Sequence, residues 1–214
     1  MPEPGVEVCK WQPRLDEEIT RSVDTLKELY TVAVAVALTL GVEKLATLTE
    51  CNGCTPLLQS EAFVLFLVFF VTLIPFYHGA SRHMDDIYVF RETRPGAVVL
   101  LLDYILLMVE AGSLVWLGEN IGNRVTFTKC YLFLLALDVL WAIITGTFTA
   151  AGKSVRSWAL LNSLALVIVL AVFHPPYWTP WKPCVLLLLA FVRSALDYRL
   201  CRNLYFPHIV KVGH

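Results

Sequence analysis

Residues 97–117 read AVVLLLDYILLMVEAGSLVWL. Asp103 and Glu110 are the only charges in a run of about the twenty residues that an α-helix needs to cross a hydrocarbon layer. The run is continuously apolar and does not alternate, which argues for a helix and against a strand of a membrane barrel. Five further segments resemble it: Leu29 to Leu48, Ala62 to His78, Cys130 to Thr149, Ser157 to Phe173 and Cys184 to Tyr198. The expected fold is therefore all-α, a polytopic transmembrane bundle of six spans. Residues 1–27 precede it, residues 28–200 form it, and residues 201–214 are a short tail along the membrane surface.

Composition supports the same class. The 214-residue chain is 57% hydrophobic and 16% charged, where soluble domains carry about 25% charge. Its mean hydropathy is +0.64. A net charge of −1 and the lack of a basic stripe exclude a nucleic-acid partner and leave membrane lipid as the expected surroundings. The first 26 residues are polar, so the first span is expected to act as both signal and anchor.

Basic residues orient the spans. Thirteen of the seventeen Lys and Arg fall before the first span, between the second and third, between the fourth and fifth, or at the C-terminal end. The other four, Lys44, Arg124, Lys129 and Lys182, fall on the opposite side. Cytoplasmic loops carry the positive excess, so both termini are expected in the cytoplasm. Tyr30, Tyr77, Trp158, Tyr198 and Tyr205 lie near inner span ends, where aromatic rings favour the interface. Ala33, Ala37 and Gly41 form a small-residue stripe suited to close helix packing, either within the chain or between subunits.

Three constellations could carry function. The first ends the second span: Pro75, His78, Arg82, His83, Asp85 and Asp86. His78 and Arg82 are four apart and share a helix face. Such groups can bind an anion, hold a metal for hydrolysis, relay protons, or simply form a polar helix end. No later His-x-x-x-His pair supplies the ligands a membrane zinc hydrolase needs.

The second is the set Asp103, Glu110, Asp138, Asn162, Arg193 and Asp197 inside the spans. An ionisable side chain near mid-bilayer costs about 2.5–3.5 kcal/mol on insertion scales, so these groups must face the bundle or a wet cavity. Arg193 and Asp197 are spaced to pair on one helix. His78, Asp103 and Asp138 are expected to line one cavity open to the cytoplasm, or else to pin helix packing. Four carboxyls against one arginine favour cations or protons over anions.

The third is Cys51-Asn-Gly-Cys54, in the loop after the first span. It can close a disulfide or serve as a structural clip. With Cys130 and Cys184 also at outer span ends, the cysteines are similar to those of membrane thiol oxidases that pass electrons to quinone. That resemblance implies thiol–disulfide exchange at Cys51 and Cys54, although here Cys130 and Cys184 lie on different helices rather than in one loop. Three functions follow: a small, oligomeric ion or proton channel or transporter-like protein; a membrane enzyme using His78/His83 or Cys51/Cys54; or a non-catalytic subunit of a larger membrane complex. The sequence leaves the cofactor unknown.

Overall fold

A computed structural model describes residues 8–51, 60–90, 95–148, 153–173 and 181–206. Among these there is no strand. Six long helices follow in order: α1 (Val8–Cys51), α2 (Glu61–Met84), α3 (Ala97–Glu119), α4 (Arg124–Phe148), α5 (Lys153–Phe173) and α6 (Lys182–Leu200), then the single turn α7 (Arg202–Tyr205). Helix is the structure these runs must take in lipid, because it satisfies every backbone N–H and C=O within the segment. Starts are marked by residues that hold the free N–H groups. The Ser60 hydroxyl accepts from the Phe63 amide at 3.1 Å, and Asn123 accepts from the Thr126 amide at 3.2 Å.

Helices α1 to α5 are long and apolar enough to cross a membrane, consistent with an integral multi-pass membrane protein. Helix α6 is not among those five, because Arg193, Asp197 and Arg199 crowd its C-terminal half. Its faces are nonetheless inverted relative to a water-facing helix. Leu188 and Phe191 are 61% and 62% exposed, whereas Arg193 and Asp197 are 4% and 1% exposed.

The helices close a ring in the order α1, α3, α4, α5, α6, α2. Contacts at the two ends show that successive helices alternate in direction. At one end Lys27 of α1 pairs with Asp85, just beyond α2, at 2.7 Å. At the other, Arg124 of α4 lies 3.5 Å from Glu61 of α2, and Lys182 of α6 lies over the ring of Phe173 of α5. Helix α6 packs between α2 and α5, with Lys182 over Phe173 at one end and Tyr198 beside His78 towards the other.

Helices α1 and α3 approach closely at Ala37 and Gly118. A Cβ on Gly118 would stand 2.6 Å from the Ala37 carbonyl oxygen. Only glycine admits that approach. Gly41, one turn from Ala37, faces Phe69 and Ile121. Ala37 and Gly41 of the small-residue stripe therefore pack inside the chain.

Helix α2 continues through Pro75, which has no N–H to donate to the Val71 carbonyl. The Ser194 hydroxyl of α6 donates to that carbonyl instead, at 3.2 Å. The missing helical bond becomes a tie between two helices. Beyond Met84 the chain widens into a π-helical turn, Asp85–Val89, which buries Ile87 and Tyr88. Such turns redirect side chains that a regular helix would aim elsewhere.

Candidate functional site: a buried polar seam

The inner faces of the ring carry the ionisable residues. At their centre lies Arg193. Its Nη2 donates to Asp138 Oδ2 of α4 at 3.1 Å, and its Nε donates to Asn162 Oδ1 of α5 at 2.7 Å. The guanidinium carbon sits 4.4 Å from the ring centre of Phe76 on α2, a cation–π contact that helps hold a desolvated charge. Asn162 passes the network on, donating to the Trp158 carbonyl at 3.1 Å. Four helices thus meet at one side chain.

The ion pair expected within α6, between Arg193 and Asp197, forms instead between Arg193 and Asp138. Asp197 turns to the C-terminal segment, where Tyr205 of α7 donates to its Oδ2 at 2.7 Å. Arg193 is also a buried network member, and so drops out of the interfacial basic residues that orient the spans. The asymmetry becomes twelve to four.

Glu110 of α3 accepts a hydrogen bond from the Tyr30 hydroxyl of α1. Asp138 and Arg193 lie close enough to act on it electrostatically. Asp103 belongs to a separate knot. Tyr88, on the π turn, donates to its Oδ2 at 2.7 Å, and the Trp141 indole of α4 donates to its Oδ1 at 2.8 Å. His83 packs edge-on to Trp141 at 5.0 Å.

His78 lies among aromatic rings. Its Nδ1 is 3.1 Å from the Tyr198 hydroxyl, and the Tyr205 and Phe206 rings are 4.9 and 6.1 Å away. Gly79 makes room for this closure, since a Cβ there would meet the Tyr205 oxygen at 3.0 Å. Arg82, half-buried, is one turn further along α2. Among the described residues His78, Asp103 and Asp138, expected to line one cavity, share no hydrogen-bond partner. Tyr88 and Trp141 bond the two oxygens of Asp103, Arg193 bonds Asp138, and the Tyr198, Tyr205 and Phe206 rings surround His78.

His78 and His83, five residues apart, point about 140° from each other around α2. They meet different partners and share no site. Among the described residues no group of three or more His, Cys, Asp and Glu converges as for a metal ion. Cys51 ends α1, but its side chain and Cys54 lie outside the described residues. Cys130 and Cys201 are buried and Cys184 is exposed, and none of the three is in a disulfide. Beyond the end of α6, burial and neighbouring Asp197 push the Cys201 thiol up to about 12, so it stays protonated at neutral pH. The same two causes raise the Tyr205 phenol, which keeps it a hydrogen-bond donor to Asp197.

Sequence reasoning found the buried acids but missed their donors. Tyr30 and Tyr205 read as interfacial anchors, yet both are buried and bonded to carboxyls. Tyr88 and Trp141 drew no notice. The signal that could have found them is a count: one arginine cannot serve four carboxyls, so neutral aromatic donors must. No protein-family model matches the chain, and neither a curated protein nor a solved structure is significantly similar to it.

Proposed function

We propose that this protein is a six-span, transporter-like membrane protein that moves protons along Glu110, Asp138, Arg193 and Asp197, with both termini cytoplasmic. The observation that carries the reading is the run of buried carboxyls, contributed by α3, α4 and α6, around a single guanidinium. Ionisable groups inside a membrane bundle mark proton or ion paths by default. A sixth span is supported by the lipid-like outer face of α6 and its packing between α2 and α5. The cytoplasmic assignment rests on the twelve-to-four excess of basic residues.

The proton is favoured over a larger ion by the packing. Arg193 is ringed by Asp138, Asn162 and Phe76, and a hydrated ion would need that contact opened. A proton can pass between hydrogen-bonded groups within one chain, so this path needs no pore between subunits. The test is proton flux into liposomes containing only the purified protein. Wild type is expected to carry flux under a pH gradient or a voltage, and Asp138→Asn to reduce it by roughly tenfold or more. Asp103→Asn, in the separate knot, should leave it unchanged. Absence of flux in wild type under either driving force overturns the proposal.

A further inference from the structure

Among the described residues three buried atoms of the seam have no hydrogen-bond partner, Asp138 Oδ1, Arg193 Nη1 and Asp197 Oδ1, although the Trp158 indole lies beside Asp138 and the Cys201 thiol beside Asp197. They lie on neighbouring residues. Asp138 is bonded to Arg193, and Asp197 is one turn from Arg193 on α6, about 6 Å along the axis. Buried polar atoms are otherwise almost always paired. A guanidinium NH2 without an acceptor and two carboxyl oxygens without partners fit a small molecule that both accepts and donates hydrogen bonds. Water does this, and buried waters commonly hold about three such bonds.

Charge balance adds a second argument. Arg193 supplies one positive charge to two buried carboxyls. A net charge in a low-dielectric interior is strongly disfavoured. The group is neutral when the two carboxyls hold one proton between them.

We propose that Asp138, Arg193 and Asp197 form a proton-sharing triad, in which one proton is exchanged between the two carboxyls through a water held by Arg193. In the exchange the Asp138 O–H breaks and its proton joins the water oxygen. One of the water's own O–H bonds breaks toward the Asp197 carboxylate. Asp138 ends ionised, Asp197 ends protonated, the water is regenerated, and Arg193 keeps its charge. The sharing stands on these residues alone; its use as a relay rests on the proposed proton path. Glu110, next along the seam, has its own donor in Tyr30 and serves as a control.

The experiment is infrared spectroscopy of the protein in lipid nanodiscs at neutral pH, reading the carbonyl stretch of protonated carboxyls. Asp138→Asn and Asp197→Asn are near-isosteric, and each leaves one carboxylate to balance Arg193. Each is expected to remove the same band area, and the double variant to remove no more than either single. Glu110→Gln, whatever area it removes, should remove it in addition. A double variant that loses twice as much, a loss in only one single variant, or no loss in any, overturns the sharing. In a density map that shows ordered water, a peak within hydrogen-bond distance of Arg193 Nη1 and both carboxyls is expected. Direct contact of Arg193 with Asp197 in its place overturns the bridge. Neither measurement requires flux, so silent liposomes with a shared proton would retire the path and keep the triad.

Discussion

Asp103 and the Asp138–Arg193–Asp197 group are equally enclosed, yet they are built from opposite materials. Among the described residues Asp103 pairs with no cation. Both of its oxygens are occupied by neutral donors, Tyr88 and Trp141, at 2.7 and 2.8 Å. The triad has a cation and an ion pair, but among the described residues three of its polar atoms have no hydrogen-bond partner. Burial of an acid in a membrane bundle therefore says little by itself. A carboxyl bonded at both oxygens by neutral donors holds the π turn against α3 and α4. An unsaturated one keeps a free lone pair for a further hydrogen bond. The difference lies in the partners.

The comparison breaks most visibly at Arg193. Replacing it with leucine leaves Asp138 as a buried carboxyl without its cation and Asn162 Oδ1 without its donor. Removing one partner of a buried pair costs about 3–5 kcal/mol, whereas removing both with apolar residues can be near neutral. Arg193→Leu is thus expected to show the largest loss of stability of any change discussed, with Arg193→Leu/Asp138→Leu recovering much of it. Unfolding of the purified protein in detergent reads both. Equal losses in the single and the double variant would show that the charge pair contributes nothing beyond packing.

The Asp103 knot should respond more mildly and with a different chemical preference. Asp103→Leu leaves the Tyr88 hydroxyl and the Trp141 N–H without an acceptor, about 1–3 kcal/mol for an orphaned buried donor. Asp103→Asn should cost less than about 1 kcal/mol. The amide oxygen can accept from Trp141 while its NH2 donates to the Tyr88 oxygen, since a phenol both donates and accepts. The same unfolding assay separates the two. A loss in Asp103→Asn as large as in Asp103→Leu would mean that the charge, not the hydrogen-bond geometry, holds this knot.

How much of this could be read from the sequence divides along physical lines. Within the described residues all six apolar segments are helical, because in lipid a long apolar run has almost no alternative. Their ends were less legible: α1 begins at Val8, well before Leu29, since hydropathy marks only the part of a helix that is apolar. The buried acids were visible because a charge within an apolar run is anomalous. Their grouping was not. Spacing of four on α6 offers Arg193 and Asp197 to each other, but it does not exclude a reach across to α4 and α5, which ties three helices instead of one. Tyrosines near span ends have the same spacing whether they face headgroups or a carboxyl. Only the packing of the ring distinguishes those cases, and periodicity carries no information where both faces of a helix are apolar.

The smallest expected effect concerns the tie between α2 and α6, which helps set the register in which Arg193 meets its partners. Pro75 leaves the Val71 carbonyl without its helical donor, and Ser194 supplies one from a neighbouring helix. Interhelical hydrogen bonds in membrane proteins average about 0.6 kcal/mol, so Ser194→Ala alone should lower stability by roughly that amount. Pro75→Ala returns an N–H to α2, where it can bond the same carbonyl along the helix. In that background the carbonyl has a donor already, and Ser194→Ala should cost close to nothing. A double-mutant cycle on unfolding free energy isolates the coupling. Additive effects would show that Ser194 acts through packing alone. Coupling would show that a proline in one helix and a serine in another form a single hydrogen-bonding unit. That unit lies one residue along α6 from Arg193, on which the triad depends.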